Sequence, residues 1–162
     1  MKNKEEIKKI TKEEPKNVEI ITSTKENPKK ILIPGAGLCR LAYDLTLLGH
    51  NVSCNDVMYL NYLVADYLIT KSKKYELSFR PHYDNFCNLF KDEDAFKEFK
   101  FPNCETGLGK EGQGSMFFCL GDFSIMYKNC NDVFDCVITV YFIDSAKNIL
   151  KYIDIIYNSL KK

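Results

Sequence analysis

The chain has 162 residues, of which 45% are hydrophobic and 28% charged, a composition typical of one globular domain. Lys and Arg total 23 and Asp and Glu total 22, so the net charge of +1 provides no basic excess for binding nucleic acid. No apolar run approaches the roughly 18 residues of a membrane span, and the first residues lack the apolar core of a signal peptide. We therefore expect neither a nucleic-acid nor a membrane partner.

The seven cysteines contain no Cys-x-x-Cys pair, and only His50 and His82 could join them as imidazole ligands. This pattern indicates neither a metal site nor a disulfide framework. Reduced, partly buried thiols are typical of an intracellular protein. We expect a cytoplasmic location, with the nucleus as a second one.

Residues 1–30 are rich in lysine and glutamate and are interpreted as a charged, solvated arm. Ile31–Ile33 is a continuous apolar run, which predicts a strand buried on both faces of a parallel sheet. A glycine turn, Gly35-Ala36-Gly37, follows this strand. The next segment predicts a helix with one apolar face, formed by Leu38, Leu41, Leu45 and Leu48.

A second strand is expected at Asn51–Cys54, ending at Asn55-Asp56, and is followed by a well-buried helix over Val57–Ile69. The order strand, glycine turn, helix, strand, acidic residue, helix indicates an α/β, doubly wound domain of Rossmann type. The parallel sheet should carry helices on both faces.

The segment 71–115 is interpreted as an insertion, partly helical around Asp92–Phe99, that packs as a lid over the site. After it, strands are expected at Met116–Leu120 and Phe134–Tyr141. A last helix over Ala146–Leu160 should present one apolar face, formed by Ile149, Ile153, Ile156 and Leu160. Residues 31–162 thus hold about four strands of the sheet.

Gly35 and Gly37 lie between a buried strand and a helix, where glycine allows a ligand to approach the backbone. The ligand could be a dinucleotide or S-adenosylmethionine, and a tight turn without a ligand is the third interpretation. Arg40 occupies the position of the third glycine in a dinucleotide fingerprint, which disfavours a nicotinamide-dependent oxidoreductase.

Acidic residues follow three predicted strands. Asp56 is placed to accept both ribose hydroxyls of an adenosine ligand, and Asp122 to accept the adenine amine while Phe123 covers the ring. Asp144 could orient a nucleophile or could simply cap the last helix, a job that Ser145 could also do. Ligands of open α/β sheets lie outside the carboxyl ends of the strands, so these residues should share one site.

The segment Ile33–Ala42, IPGAGLCRLA, resembles the VPGAGLGRLA segment of carnosine N-methyltransferases. Further matches follow in the same order. They are Leu48-Gly49 with Asn55-Asp56, the Pro81, Phe86 and Asn88 pattern, Phe101-Pro102, Gly121-Asp122-Phe123, Asp135-Cys136-Val137 and Phe142–Asn148. The resemblance spans about residues 31–160.

The resemblance implies an S-adenosylmethionine-dependent enzyme that methylates an imidazole nitrogen of carnosine or a similar small histidine-containing peptide. The residues implied to hold the cofactor are Gly35, Gly37, Asp56, Asp122, Phe123 and the backbone near Val140. The resemblance implies that Asp144, as the catalytic and substrate-binding residue, hydrogen-bonds the substrate imidazole. A carboxylate in that position fixes the tautomer of the ring.

The sequence departs from the family pattern at three positions, where Cys39 replaces glycine, Asp56 replaces glutamate and Lys147 replaces histidine. The family pattern also continues beyond residue 162 with further strands, so the chain is interpreted as the N-terminal half of a methyltransferase domain. The alternative is a non-catalytic fragment that binds cofactor or a partner chain. A homodimer or a partner chain could then cover the incomplete sheet.

Overall fold

The computed structural model describes residues 27–82, 89 and 91–162, so most of the predicted arm lies outside the described residues. The described residues contain six strands, β1 Lys30–Pro34, β2 Asn51–Asp56, β3 Leu77–Phe79, β4 Phe99–Phe101, β5 Met116–Leu120 and β6 Cys136–Val137. They also contain four α-helices, α1 Arg40–Leu47, α2 Tyr59–Thr70, α3 Phe123–Met126 and α4 Ile149–Ser159. Two 3₁₀ turns lie at Asp92–Phe96 and Ile143–Ser145.

The main sheet is parallel and has the strand order β5-β2-β1-β6, while β3 and β4 form a separate antiparallel pair. Successive side chains of the central strand β1 point to opposite faces. Ile31 and Ile33 pack in a core with Ala42 and Tyr43 of α1, whereas Leu32 packs with Ile155 of α4. Helices therefore cover both faces, which confirms the predicted Rossmann-like fold.

The buried face of α1 differs from the prediction. Ala42 and Thr46 are buried, together with Tyr43, while Leu38 is 47% exposed and Leu48 is 54% exposed. Small side chains at positions 42 and 46 let the helix backbone approach the sheet closely, which the leucine stripe would prevent. The periodicity identified the helix correctly but assigned the wrong side of it to the core.

Two other helices are more exposed than expected. In α2 only Ala65 and Ile69 are buried, and Leu60 is 64% exposed, so the prediction of a well-buried helix was wrong. In α4 Ile155 and Ser159 are buried and Ile156 of the predicted face packs against the core, whereas Ile149 is 50% exposed and Ile153 is 47% exposed. Both helices therefore present apolar side chains on their outer surfaces.

The fourth strand of the sheet is much shorter than the predicted Phe134–Tyr141. Phe134 pairs with the end of α4, where its N–H donates to the Ser159 carbonyl and its carbonyl accepts from the Lys161 N–H. At the other end the chain leaves the sheet before Tyr141, whose φ of 50° is in the left-handed region. Only Cys136–Val137 remains as β6.

Within the described part of the 71–115 segment, the helical stretch predicted around Asp92–Phe99 is a 3₁₀ turn over Asp92–Phe96, and Phe99 begins β4, which pairs with β3. The Tyr43 hydroxyl donates to the Glu105 carbonyl at 2.8 Å, and the Gly107 N–H donates to the Ile69 carbonyl at 2.8 Å. The segment thus lies against α1 and the end of α2. Among the described residues, no helix has both the length and the apolar character needed to cross a bilayer.

Candidate ligand-binding cleft

A cleft of about 610 Å³ opens at the carboxyl ends of β1, β2 and β5. This volume is within the range of small-molecule and cofactor pockets. Four of the predicted site residues line the cleft, Gly35, Asp56, Asp122 and Phe123. Its other side is formed by residues from Tyr141 to Tyr152, which precede α4 or belong to its first turn.

Gly35 is required in the turn for two separate reasons. Its φ of 67° favours glycine, and a Cβ on it would lie 2.6 Å from Cδ2 of Phe142. Gly37 also has a positive φ, of 54°, but a Cβ there would meet no atom within 4 Å. Gly37 is not among the lining residues of the cleft, and its N–H is turned to the Asp56 carboxylate instead.

The Asp56 carboxylate is 8% exposed as a residue and accepts three hydrogen bonds within the chain. Oδ2 accepts from the Gly37 N–H at 2.9 Å and from Asn61 Nδ2 at 3.3 Å, while Oδ1 accepts from the Met58 N–H at 2.8 Å. An ionised carboxylate has about four acceptor positions. One position therefore remains that accepts no hydrogen bond from within the described chain.

The neighbouring Asn55 holds the ends of β2 and β5 together. The side chain is 1% exposed, and its Nδ2 donates to the carbonyls of Cys119 and Gly121, both at 2.9 Å. The Gly121 N–H in turn donates to the Asp56 carbonyl at 2.9 Å. These bonds fix the turn that presents Asp122 to the cleft.

Asp122 is exposed at the start of the short helix α3. Its Oδ1 accepts from the Ser124 N–H at 2.8 Å and from the Ser124 hydroxyl at 2.6 Å. The hydrogen bond from the Ser124 side chain, with a smaller contribution from nearby Lys151, holds the pKa of the Asp122 carboxyl below its usual range. The carboxylate thus stays ionised at neutral pH as an acceptor.

Phe123 lines the cleft but is 3% exposed. Its ring packs among Tyr127, Phe142 and Tyr152 with centroid distances of 5.1 to 5.5 Å. The side chain is thus part of the core on the α4 side, and the prediction that Phe123 covers a ligand ring stays a prediction.

Besides Gly37, two predicted residues lie outside the cleft lining. Val140 is 50% exposed, and Asp144 is exposed in the 3₁₀ turn, although Ser145 beside it does line the cleft. The alternative role of Asp144 or Ser145 as the helix cap was wrong. The helix begins later, and Asn148 caps it by accepting from the Lys151 N–H at 3.1 Å.

Sequence reasoning missed four cleft residues on the α4 side, Tyr141, Phe142, Lys151 and Tyr152. Phe142 stacks on Tyr152 with a centroid distance of 5.2 Å and an interplanar angle of 19°, and it also covers Gly35. Lys147 lines the cleft as well, at the position where the sequence departs from the family histidine. Spacing from the glycine turn could not reveal these residues, because their position depends on where the chain turns after β6.

The glycine turn ends at Cys39, which has a left-handed φ of 61° and is 1% exposed. A hydrogen bond with Cys54 lowers the pKa of the Cys39 thiol. The same bond, together with burial, raises the pKa of Cys54. The substitution of the family glycine by Cys39 therefore keeps the left-handed backbone of the turn and adds a buried thiol contact to β2.

Comparisons with known proteins agree with the fold and the cleft. The family model described as carnosine N-methyltransferase matches residues 2–162, which extends beyond the motifs at residues 31–160. A carnosine N-methyltransferase from Rattus norvegicus is 32% identical over 160 residues, covering 96% of this chain and 37% of that protein. One from Drosophila melanogaster is 34% identical over 134 residues, covering 81% of this chain and 28% of that protein.

Among solved structures, an arsenic(III) S-adenosylmethionine methyltransferase from Chlamydomonas reinhardtii superimposes with a TM-score of 0.52 at 17% identity. The match covers 86% of this chain and 36% of that one, and at this identity it concerns the fold alone. The architecture and the cleft define a Rossmann-like methyltransferase fold. The chain belongs to the carnosine N-methyltransferase family, and it spans about a third of the length of the curated relatives that it matches.

Proposed function

We propose that the chain provides the cofactor half of an S-adenosylmethionine-dependent enzyme that methylates an imidazole nitrogen of carnosine or a similar small histidine-containing peptide. The observation that carries the proposal is the cleft at the carboxyl ends of three parallel strands, lined by Gly35, Asp56 and Asp122. Membership of the carnosine N-methyltransferase family supports the substrate class.

The residues of the cleft fit S-adenosylmethionine. The volume of about 610 Å³ suits a cofactor of this size. Both hydrogen bonds described for the Asp122 carboxylate go to Oδ1, so Oδ2 is available to accept the adenine amine. Asp56 retains one acceptor position for a ribose hydroxyl. When bound, S-adenosylmethionine supplies a sulfonium-activated methyl group.

The proposed role of Asp144 is to orient the acceptor. A neutral imidazole must present one nitrogen lone pair to the methyl group, and a carboxylate that accepts from the other N–H fixes that tautomer. Asp144 is exposed beside Ser145, at the rim of the cleft, where a substrate can reach it. No general base is needed before attack, since imidazole is largely unprotonated near neutral pH. Alignment of the two reactants then provides most of the rate gain.

A methyl-transfer assay tests this proposal. The purified chain is incubated with methyl-labelled S-adenosylmethionine and carnosine, and NMR identifies the methylated ring nitrogen. The expected result is label on the imidazole, with a rate that falls at least about tenfold in Asp144→Asn while S-adenosylhomocysteine binding is unchanged. Transfer to a different group, or equal rates for both proteins, contradicts the proposed role of Asp144.

A second candidate function is that of a non-catalytic unit that works only with a second copy or a partner chain. The exposed apolar side chains of α2 favour it, since Leu60 is 64% exposed and Leu63 is 43% exposed. A chain of this kind should bind S-adenosylhomocysteine but transfer no methyl group until the partner is added. Light scattering of the purified chain distinguishes a dimer from a monomer.

We propose a cytoplasmic location for either form.

A further inference from the structure

Tyr141 combines a left-handed backbone with an almost fully exposed side chain. Its backbone has a left-handed φ of 50°, which is rare for a residue with a large side chain. Its side chain is also 97% exposed, so the ring gains almost nothing from packing within the chain. The unfavourable backbone geometry is therefore not offset by burial of this ring.

The surroundings of Tyr141 hold its position firmly. The next residue, Phe142, stacks on Tyr152 at 5.2 Å and contacts the Phe123 ring edge-on at 5.3 Å. The Phe142 carbonyl accepts from the Ser145 N–H at 3.0 Å and from its hydroxyl at 2.6 Å. Tyr141 is thus fixed at its base, while its ring projects freely.

Tyr141 is one of the residues that line the cleft. Backbone strain that persists without local compensation is concentrated at ligand-binding sites. An aromatic side chain gives a flat, rigid contact surface that costs little conformational entropy to immobilise. The occupant best suited to such a surface is another flat ring.

We propose that Tyr141 stacks on a planar nitrogen heterocycle of the bound ligand. The inference rests on the proposed function, which supplies two rings of this chemistry, the adenine of the cofactor and the imidazole of the acceptor. Stacking of a base on an aromatic side chain contributes enough that its removal raises Kd by about 5- to 100-fold.

The test compares Tyr141→Asn with wild type in two binding titrations. The first uses S-adenosylhomocysteine alone, and the second adds carnosine to protein saturated with S-adenosylhomocysteine. A loss of affinity in the first titration assigns the adenine as the stacked ring, and a loss of affinity in the second assigns the imidazole. Tyr141→Phe keeps the ring and should bind as wild type. Tyr75→Asn is the matched control, since Tyr75 has a φ of 58°, is 51% exposed and does not line the cleft.

Thermal stability separates a ligand contact from a structural role. Asparagine tolerates the left-handed region, so Tyr141→Asn should unfold at the wild-type Tm or about 2–4 °C above it while binding more weakly. A structural residue would instead lower the Tm. Tyr141→Trp offers a direct reporter, because the chain has no other tryptophan. Its fluorescence should change saturably as the stacked ligand is added.

The outcomes are distinct. Wild-type binding of S-adenosylhomocysteine and carnosine with unchanged affinities in Tyr141→Asn overturns this inference alone. A lower Tm in Tyr141→Asn, with wild-type affinity at temperatures where it is folded, assigns a structural role and also overturns it. If the folded wild-type chain binds neither ligand, the proposed function fails and this inference fails with it.

Discussion

The Gly37 backbone N–H donates a hydrogen bond to Asp56 Oδ2 at 2.9 Å, which connects the glycine turn after β1 to the last residue of β2. Asp56 therefore stabilises the shape of the turn in addition to facing the cleft. A ligand that binds Asp56 finds a carboxylate already fixed by three hydrogen bonds. Preorganisation of this kind lowers the entropy cost of binding.

Replacing Asp56 by Asn tests this double role. An amide has one acceptor oxygen, so the bonds from Gly37 and Met58 can no longer both be kept. We expect the free energy of unfolding to fall by about 1–3 kcal/mol and S-adenosylhomocysteine to bind more weakly. Urea unfolding and calorimetric titration measure the two effects. Asp66→Asn on the exposed surface of α2 should change stability by less than about 0.5 kcal/mol.

The two glycines of the turn should respond differently to alanine. Gly37→Ala forces alanine into a left-handed conformation and should cost about 1–2 kcal/mol of unfolding free energy. Gly35→Ala adds a clash with Phe142 at 2.6 Å, so it should cost a further 1–3 kcal/mol or so. If urea unfolding gives both variants the same loss of unfolding free energy, the Phe142 side chain moves aside without cost. In that case its close contact with Gly35 contributes nothing to stability.

Asn55 and Asn51 form a matched pair at opposite ends of β2. Asn55→Ala leaves the carbonyls of Cys119 and Gly121 without their donor and should cost about 2–4 kcal/mol. It should also weaken S-adenosylhomocysteine binding, because the Asp122 turn loses its support. Asn51 accepts from Ser115 N–H and hydroxyl away from the cleft, so Asn51→Ala should lower stability only. A binding loss of the same size in Asn51→Ala would contradict this assignment.

Acid should weaken the contact at Asp135. Its Oδ1 accepts from Lys161 Nζ at 2.9 Å and its Oδ2 from the Lys30 N–H at 2.7 Å. These bonds, the Lys161 bond most of all, lower the pKa of the Asp135 carboxyl. Its stabilisation is thus complete above the ordinary aspartate pKa of about 4 and is lost as the pH falls through the lower folded value.

Asp135→Asn should therefore destabilise the chain at pH 7 by less than about 1 kcal/mol, since the pair is partly exposed. The difference between the variant and wild type should shrink as the pH approaches 3. Thermal unfolding at a series of pH values measures it. A difference that stays constant or grows toward acid pH would reject the stated direction of the pKa shift.

The elements fixed by local sequence were predicted well. The buried run at Ile31–Ile33, the glycine turn and the strand at Met116–Leu120 each depend on a few adjacent residues, and each was confirmed. Features that depend on packing partners were not. The side of α1 that meets the sheet depends on the small residues Ala42 and Thr46, which a search for large apolar side chains overlooks.

The candidate site shows the same difference between features set by adjacent residues and features that depend on packing partners. Asp56 and Asp122 follow directly from strand ends, and both line the cleft. Phe123 also lines the cleft, but its packing with the rings of Phe142 and Tyr152 could not be predicted, because those residues are distant in sequence. The fourth strand begins later than predicted because Phe134 bonds to the end of α4, a contact between residues far apart in sequence.

Calorimetric titration of the purified chain with S-adenosylhomocysteine, with Asp122→Ala as the control variant, tests the central claim most directly. If the cleft is the cofactor site, wild type binds S-adenosylhomocysteine saturably. Asp122→Ala should then lose at least about tenfold in affinity, since a hydrogen bond to a charged group is removed. No binding by a folded, monodisperse wild-type sample, or equal affinities for the two proteins, would contradict the assignment of this cleft as the cofactor site.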